Sequence, residues 1–495
     1  MITTETKTEL EIYFKQFRDN IIGIDQEFES PFGTKKIIYT DWTASGRLYR
    51  PIEEKLMNDF GPFVANTHTE TTISGTAMTM AYHEAKHIIK KHVNANENDV
   101  LINTGTGMTG VVNKFQRILG LKIPENLKDY IQLPKELKPI VFISHMEHHS
   151  NQTSWLETIA DVEVIPANDE GLFCINEFKK LLEKYKDRSF KIASITSCSN
   201  VTGIRTPYHE VAKIMHQNNG VCFVDFACSG PYVDINMHPE DKESYLDAIF
   251  FSPHKFLGGP GTSGVLIFNQ NLYKNNVPDC PGGGTVSWTN PWGEHKYIDN
   301  IEDREDGGTP GFLQVIKTAL AIQLKEQMGV QNILKREHEI VEYVFEQLGT
   351  IENINILASE HQNRLGVISF YIDDLHYNLG VKILNDKFGI QTRGGCSCAG
   401  TYGHYLLHVD QETSNDLVCQ ITSGDLIRKP GWIRMSIHPT TTSDEIQYVC
   451  ESIKSLAENH KIWENDYLYN GKNNEFNHKN ALNSEKELVK NWFKI

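Results

Sequence analysis

The run Phe250-Phe251-Ser252-Pro253-His254-Lys255, followed by Phe256-Leu257-Gly258-Gly259-Pro260-Gly261, leads an apolar strand into a lysine beside a glycine-rich turn. Upstream, thirty residues before that lysine, a second apolar run, Val221-Cys222-Phe223-Val224-Asp225, ends in an acid. Either residue alone has a bland explanation, as a solvated loop lysine or a helix-capping aspartate. Together they are the pair that pyridoxal phosphate needs. The Lys255 amine forms a Schiff base with the cofactor aldehyde, and Asp225 keeps the ring nitrogen protonated so that the ring acts as an electron sink. Ser252 and His254 are placed to donate to the phosphate.

Other strand ends carry complementary chemistry. Asn103-Thr-Gly-Thr-Gly-Met-Thr109 follows one strand and opens a helix, where small residues let backbone N–H groups approach a phosphate. His145-Met-Glu-His-His-Ser-Asn151 ends another, and His148 is suited to stack on a flat ring and to move protons. The alternative there is a helix cap at Ser150 with surface histidines. Ser197-Cys-Ser-Asn-Val-Thr-Gly203 offers Asn200 to the phenolic oxygen of the cofactor, or simply as a turn residue.

Thr392-Arg-Gly-Gly-Cys-Ser-Cys-Ala-Gly400 sets two thiols on a glycine-rich loop beside a guanidinium, which favours the nucleophilic thiolate. Three readings stand: Cys398 as nucleophile, zinc held by Cys396, Cys398, His404 and His408, or inert thiols on a tight turn. The zinc spacing is not a common one. Arg434, on the apolar strand Trp432-Ile-Arg-Met-Ser-Ile437, needs a buried anion, either a substrate carboxylate or an acid of the chain.

The elements that must position these groups follow from the pattern. Strands are expected at 37–39, 99–102, 140–144, 162–165, 191–196, 221–225, 248–252 and 263–268, with helices such as 108–119 and 208–218 between them. Buried strands alternating with helices imply an α/β fold with a mainly parallel sheet, whose ligands gather at the carboxyl ends of the strands. The chain breaks near 306–311. A long helical stretch over 312–348, strands near 366–371 and 432–437, and a closing helix over 442–460 then read as a smaller α+β domain. Segment 121–137 reads as a polar insertion, and 470–483 as a loose terminus.

Composition bounds the reading. The 495 residues are 39% hydrophobic, enough for two domains, and carry a net charge of −16. That acidity argues against nucleic acid or an anionic membrane as partner. Segments long and apolar enough to span a bilayer are absent, and the polar N-terminus does not resemble a secretory signal. Nine scattered cysteines suggest reduced thiols in a cytoplasm.

With Glu147-His-His-Ser-Asn151, Ser199-Asn-Val-Thr-Gly203, Val224-Asp225, Ser252-x-His-Lys255, Gly308-Thr-Pro310 and Arg393-x-Gly-x-x-Cys-Ala399 in this order, the chain resembles the class V aminotransferase-fold enzymes. It is most similar to the group II cysteine desulfurases and selenocysteine lyases. The shared motifs run from Tyr39-Thr-Asp41 to Arg434. The resemblance implies a fold type I pyridoxal phosphate transferase with a seven-stranded large domain at 36–306. It also implies an N-terminal arm at 1–35 packing with a small domain at 307–465, and a polar tail at 466–495. It implies that Lys255 holds the cofactor, His148 stacks on it, Asn200 contacts it, and Thr106, Gly107, Ser252 and His254 bind its phosphate. Thr309 would reach the phosphate of a neighbouring subunit in a homodimer. His68, Asn200, Arg393 and Arg434 would hold the substrate. Cys398 would take sulfur or selenium from L-cysteine or L-selenocysteine, leave alanine and serve a sulfur-acceptor protein; no resident metal is implied.

The chain also departs from the family pattern. Cys228 stands where a cofactor-contacting glutamine is usual, and Cys396-Ser397 where two histidines are usual. The gap from Cys398 to Arg434 is long. These departures keep open another class V activity, such as an aminotransferase, an epimerase or a molybdenum-cofactor sulfurase, with Cys398 not catalytic.

Overall fold

Apolar runs without alternation become strands covered on both faces. In the computed structural model, which describes residues 8–67, 69–131, 133–481 and 484–495, seven of them build one sheet. They are β1 (Asp99–Thr104), β2 (Ile140–Ser144), β3 (Asp161–Ile165), β4 (Lys191–Thr196), β5 (Val221–Asp225), β6 (Ala248–Phe251) and β7 (Gly264–Asn269). Their order is β1-β7-β6-β5-β4-β2-β3. The five strands from β6 to β3 are parallel, and β7 runs antiparallel to both its neighbours. Every residue of β2, β4 and β6 is buried.

Parallel neighbours need crossovers, and helices supply them. They include α1 (Met108–Ile118), α2 (His149–Leu156) and α3 (Tyr208–Gln217). Phe115 of α1 docks its ring 5.0 Å from both Phe223 and Phe268 on the sheet. The carboxyl ends of β2, β4, β5 and β6 thereby present His148, Ser199, Asp225 and Lys255 along one sheet edge. This unit comprises Ser45–Ser199 and Arg205–Val330 and includes α4 (Phe312–Met328).

The other unit comprises the described residues up to Ala44, Asn200–Ile204 and Gln331–Ile495. Its antiparallel sheet has four strands, β8 (Ile354–Ile356), β9 (Val367–Ile372), β10 (Arg393–Gly395) and β11 (Trp432–Ser436), in the order β8-β9-β11-β10. Helices α5 (Val330–Leu348), α6 (Gly400–Leu406), α7 (Gln411–Thr422) and α8 (Ser443–Trp463) accompany it. Ile340, Val344, Ile368, Phe370, Ile433, Ile446 and Ile453 form its core. The N-terminal helix Glu9–Arg18 packs here, with Arg18 paired to Glu445 and Glu11 accepting the Ser443 N–H at 3.1 Å.

Thr442 starts α8 with a reciprocal cap. Its hydroxyl accepts the Glu445 N–H at 3.1 Å, and the Glu445 carboxylate accepts the Thr442 N–H at 3.4 Å. Thr442→Ala is expected to cost about 1 kcal/mol of stability, read by denaturant unfolding.

One expectation needs correction, and two stretches gain detail. The helical stretch over 312–348 is divided into two helices, because Gly329 takes a φ of 73° between α4 and α5. The stretch 470–483 is not a loose terminus throughout. Tyr467–Asn470 pairs with Glu475–His478 as a hairpin, and Phe476 lies 5.0 Å from Tyr469 and 5.1 Å from His376, ring to ring. The long gap between Cys398 and Arg434 holds two helices, α6 and α7, and α7 buries none of its residues. Among the described residues, no helix is long and apolar enough to cross a membrane.

Candidate active site

Asp225 closes β5 next to β6, whose Phe250 is its partner in register. It is only 3% exposed. Burial pushes its carboxyl up to about 6, against the opposing effects of the Ala227 N–H, 2.8 Å from Oδ1, and the Lys255 charge. A buried acid with so few donors calls for a cationic partner, which a protonated ring nitrogen would supply. Lys255 ends the short helical turn Pro253–Lys255. That turn is clamped by close backbone approach. The Gly46 N–H donates to the His254 carbonyl at 2.9 Å, and a Cβ at Gly46 would lie 1.9 Å from the Phe256 carbonyl oxygen. A Cβ at Gly259 would likewise lie 1.9 Å from the Pro253 carbonyl oxygen.

A phosphate cradle forms beside it. Gly107 caps α1, and the Met108 N–H donates to Ser252 Oγ at 2.8 Å. A Cβ at Gly107 would lie 3.1 Å from Ser252 Oγ and 3.5 Å from the His254 ring, so the helix start, the hydroxyl and the imidazole converge. Burial and the neighbouring Lys255 charge push His254 down to about 4, which keeps the ring neutral near pH 7. Thr106 is exposed on the loop before the cap. Backbone donors at a helix start with hydroxyl and imidazole neighbours suit a phosphate ester. Together with Asp225 and Lys255, they fit pyridoxal phosphate.

His148, not Ser150, caps α2. Its Nδ1 accepts the Ser150 N–H at 3.1 Å, which leaves the ring proton on Nε2. Its neighbour in the chain, Glu147, has a role that no local pattern assigns. Its Oε1 accepts from Ser144 Oγ at 2.6 Å and the Thr196 N–H at 2.8 Å, and its Oε2 accepts from Asn151 Nδ2 at 2.8 Å. Burial pushes this carboxyl up to about 8. From within the histidine loop it ties β2, β4 and α2 together. An acid three residues after the end of an apolar strand and four before an asparagine is the available signal. Cys228 is buried, with its sulfur 3.8 Å from that of Cys198 and 3.6 Å from the Ser199 carbonyl oxygen. Thr309 is exposed, just after Gly308 at φ 84°.

The other unit gathers Asn200, Arg393, Cys398 and Arg434. Asn200 Nδ2 donates to the Ser397 carbonyl at 2.7 Å, and Trp432 Nε1 donates to Ser397 Oγ at 3.2 Å. Ser397 and Cys398 both lie in the left-handed region, at φ 51° and 57°, conformations that non-glycine residues seldom take in succession. The turn is thus pinned at Ser397 while Cys398 is exposed. The histidine of the zinc alternative nearest the loop is otherwise engaged. His404 has both ring nitrogens engaged, Nδ1 with the Gly400 carbonyl at 2.8 Å and Nε2 with Ser414 Oγ at 2.9 Å. Among the described residues, no cluster of three or more His, Cys, Asp or Glu could hold a metal. Arg434 has an acid of the chain as partner, Asp41 at 2.7 Å, and Arg393 shares the same acid at 3.0 Å. His68 lies outside the described residues.

Residues 38–449 match the family aminotransferase class V, and the chain belongs to it, a family of pyridoxal phosphate-dependent enzymes. A probable cysteine desulfurase of Halalkalibacterium halodurans is 27% identical over 384 residues, covering 76% of this chain and 86% of the relative. One from Staphylococcus epidermidis is 28% identical over 375 residues, covering 75% and 85%. Among solved structures, a cysteine desulfurase from Thermococcus onnurineus superposes with a TM-score of 0.71 at 22% identity, covering 90% of this chain and 98% of that one. One from Escherichia coli gives 0.68 at 19%, with the same coverage. These structures share the fold type I architecture expected from the sequence.

Proposed function

We propose that this chain is a pyridoxal phosphate-dependent cysteine desulfurase, taking sulfur from L-cysteine, or selenium from L-selenocysteine, and leaving alanine. The observation that carries the reading is Cys398, an exposed thiol on a turn pinned by Asn200 and Trp432, in a chain that also ends neighbouring parallel strands near a buried Asp225 and Lys255. The desulfurase relatives support it.

Pyridoxal phosphate, when bound, supplies an electron sink for reactions at the α-carbon and the atoms attached to it. Lys255 would hold it and, once released by the substrate amine, take the α-proton. Asp225 would hold the proton on the ring nitrogen. Thr106, Gly107, Ser252 and His254 would bind the phosphate, His148 would stack on the ring, and Asn200 and Cys228 would border it. Arg434, with Arg393, would take the substrate carboxylate, and His68 would complete the substrate set. The Cys398 thiolate would attack the substrate sulfur. An S–S bond forms as the carbon–sulfur bond breaks, its electron pair stays with the β-carbon, a proton there makes the methyl group, and return of the proton held by Lys255 to the α-carbon completes alanine. The persulfide then passes to a sulfur-acceptor protein.

The reading includes a homodimer, with Thr309 on the phosphate of the neighbouring subunit, and a reducing cytoplasm that keeps the thiols free. The test is to purify the protein, record its visible spectrum, add L-cysteine or L-selenocysteine, and assay alanine and released sulfide or selenide. A coloured protein giving alanine with either is expected; a colourless one, or one giving alanine with neither, overturns the reading.

A pH prediction follows from Asp225. Its folded-state value of about 6 lies above the ordinary 3.8, so the folded protein binds the proton more tightly than the unfolded chain. The corresponding stability is full below pH 4 and is lost as pH rises through about 6, by roughly 3 kcal/mol. In cofactor-free protein, denaturant midpoints measured across this window should fall more in wild type than in Asp225→Asn. Equal slopes would remove the buried Asp225 carboxyl, raised by its burial, from the account.

A further inference from the structure

Arg393 and Arg434 stand directly opposite one another in the antiparallel pair β10–β11. Like charges in that relation repel, and Arg434 is only 3% exposed, so water screens it poorly. One carboxylate answers both. Asp41 Oδ1 accepts from Arg434 Nη2 at 2.7 Å, and Asp41 Oδ2 accepts from Arg393 Nε at 3.0 Å. The chain is held there by its backbone. Asp41 bridges in parallel to Ser436, two residues beyond Arg434, while the Ser436 N–H donates to the Thr40 carbonyl at 2.6 Å and the Thr43 N–H donates to Ser436 Oγ at 2.8 Å.

The fork leaves capacity unused. Arg434 Nη1 donates to the Asn200 carbonyl at 3.1 Å, but Arg434 Nε has no partner, and neither does Asn200 Oδ1; both atoms are buried. Two guanidinium charges against one carboxylate leave a single positive charge, the complement of one further carboxylate. We propose that Asp41 is a positioning residue for the substrate. It cancels the repulsion between Arg393 and Arg434 and orients the Arg434 guanidinium, setting the pair to receive an amino acid with one carboxylate rather than two.

This inference rests on Arg434 taking the substrate carboxylate, and the experiment separates it from the desulfurase reading. The affinity of cofactor-loaded protein for L-alanine and for L-aspartate is measured by calorimetry in wild type, Asp41→Asn and Asp41→Glu, alongside the steady-state kinetics with L-cysteine. In Asp41→Asn, L-alanine affinity is expected to fall, and KM for L-cysteine to rise, by about tenfold or more, the scale of a charge-assisted hydrogen bond. The kcat should change less than about threefold, as for a group acting on ground-state and transition-state binding alike. The preference for L-alanine over L-aspartate should narrow, and Asp41→Glu should lie between. A residue serving only the fold would lower stability and leave KM and this preference unmoved. Unchanged KM and L-alanine affinity in Asp41→Asn, or in Asp41→Glu if the asparagine variant does not fold, overturns the inference. So does wild-type protein that binds no L-alanine. Wild type that binds L-alanine yet releases no sulfur from L-cysteine defeats the desulfurase reading instead, and the affinity comparison still decides the role of Asp41.

Discussion

Lys255→Ala is expected to abolish turnover, by at least about a thousandfold, and with it the covalent hold on the cofactor. Two demands fall on the one amine. It must anchor pyridoxal phosphate as a Schiff base, and it must move the α-proton. Both need its backbone fixed, and the turn that carries it is held by the Gly46 N–H on the His254 carbonyl and by the close packing at Gly46 and Gly259. The phosphate cradle of Gly107, Ser252 and His254 does not depend on the amine. The variant should therefore still bind cofactor reversibly, with its absorbance shifted to that of the free aldehyde and removable by dialysis. Added small primary amines should restore part of the activity. Full activity in Lys255→Ala would remove the basis of the whole assignment.

Cys398→Ala is expected to cut sulfur transfer by about a hundredfold or more while leaving the cofactor spectrum of the protein as in wild type, since only the nucleophile is lost. The pinning of the turn lies at Ser397, through Asn200 and Trp432, and not at the thiol. The substitution removes an exposed side chain and should spare stability. Cys398→Ser, which keeps the size but lacks the soft nucleophile, should fail as completely. Turnover of an amino acid at the wild-type rate in both variants would favour the other class V activities, transamination or epimerisation, and make Cys398 a bystander.

The parts of the site legible in the sequence are those built from local pattern. Asp225, Ser252 and Lys255 announce themselves because an apolar run that stops abruptly at a polar residue marks a strand end, where this fold collects ligands. Strand limits expected at 140–144, 191–196 and 221–225 coincide with β2, β4 and β5. What the pattern does not carry is long-range pairing. Nothing local to Arg434 says that its acid is Asp41, far upstream in the chain, or that Arg393 shares it. The Glu147 network is hidden for the same reason, since its donors come from two strands and a helix. The break at Gly329 was masked by helical periodicity on both sides. The C-terminal hairpin was masked by its Asn and Lys content, although Tyr467, Tyr469 and Phe476 are the aromatic positions that hold it.

The family departures bear on chemistry more than on fold. Cys228 keeps its place after β5 but is buried against Cys198, and Cys396-Ser397 leads into the same exposed Cys398. Ser397 supplies what the turn requires, a carbonyl for Asn200 and a hydroxyl for Trp432.

The central claim is that sulfur leaves L-cysteine onto one particular thiol. Cofactor-loaded protein should be mixed with a small excess of L-cysteine, quenched by alkylation, digested and mapped by mass spectrometry, with alanine counted in the same sample. The account predicts one added sulfur atom on the peptide containing Cys398 and one alanine for each. Alanine absent, or sulfide released with pyruvate while Cys398 stays unmodified, would contradict it.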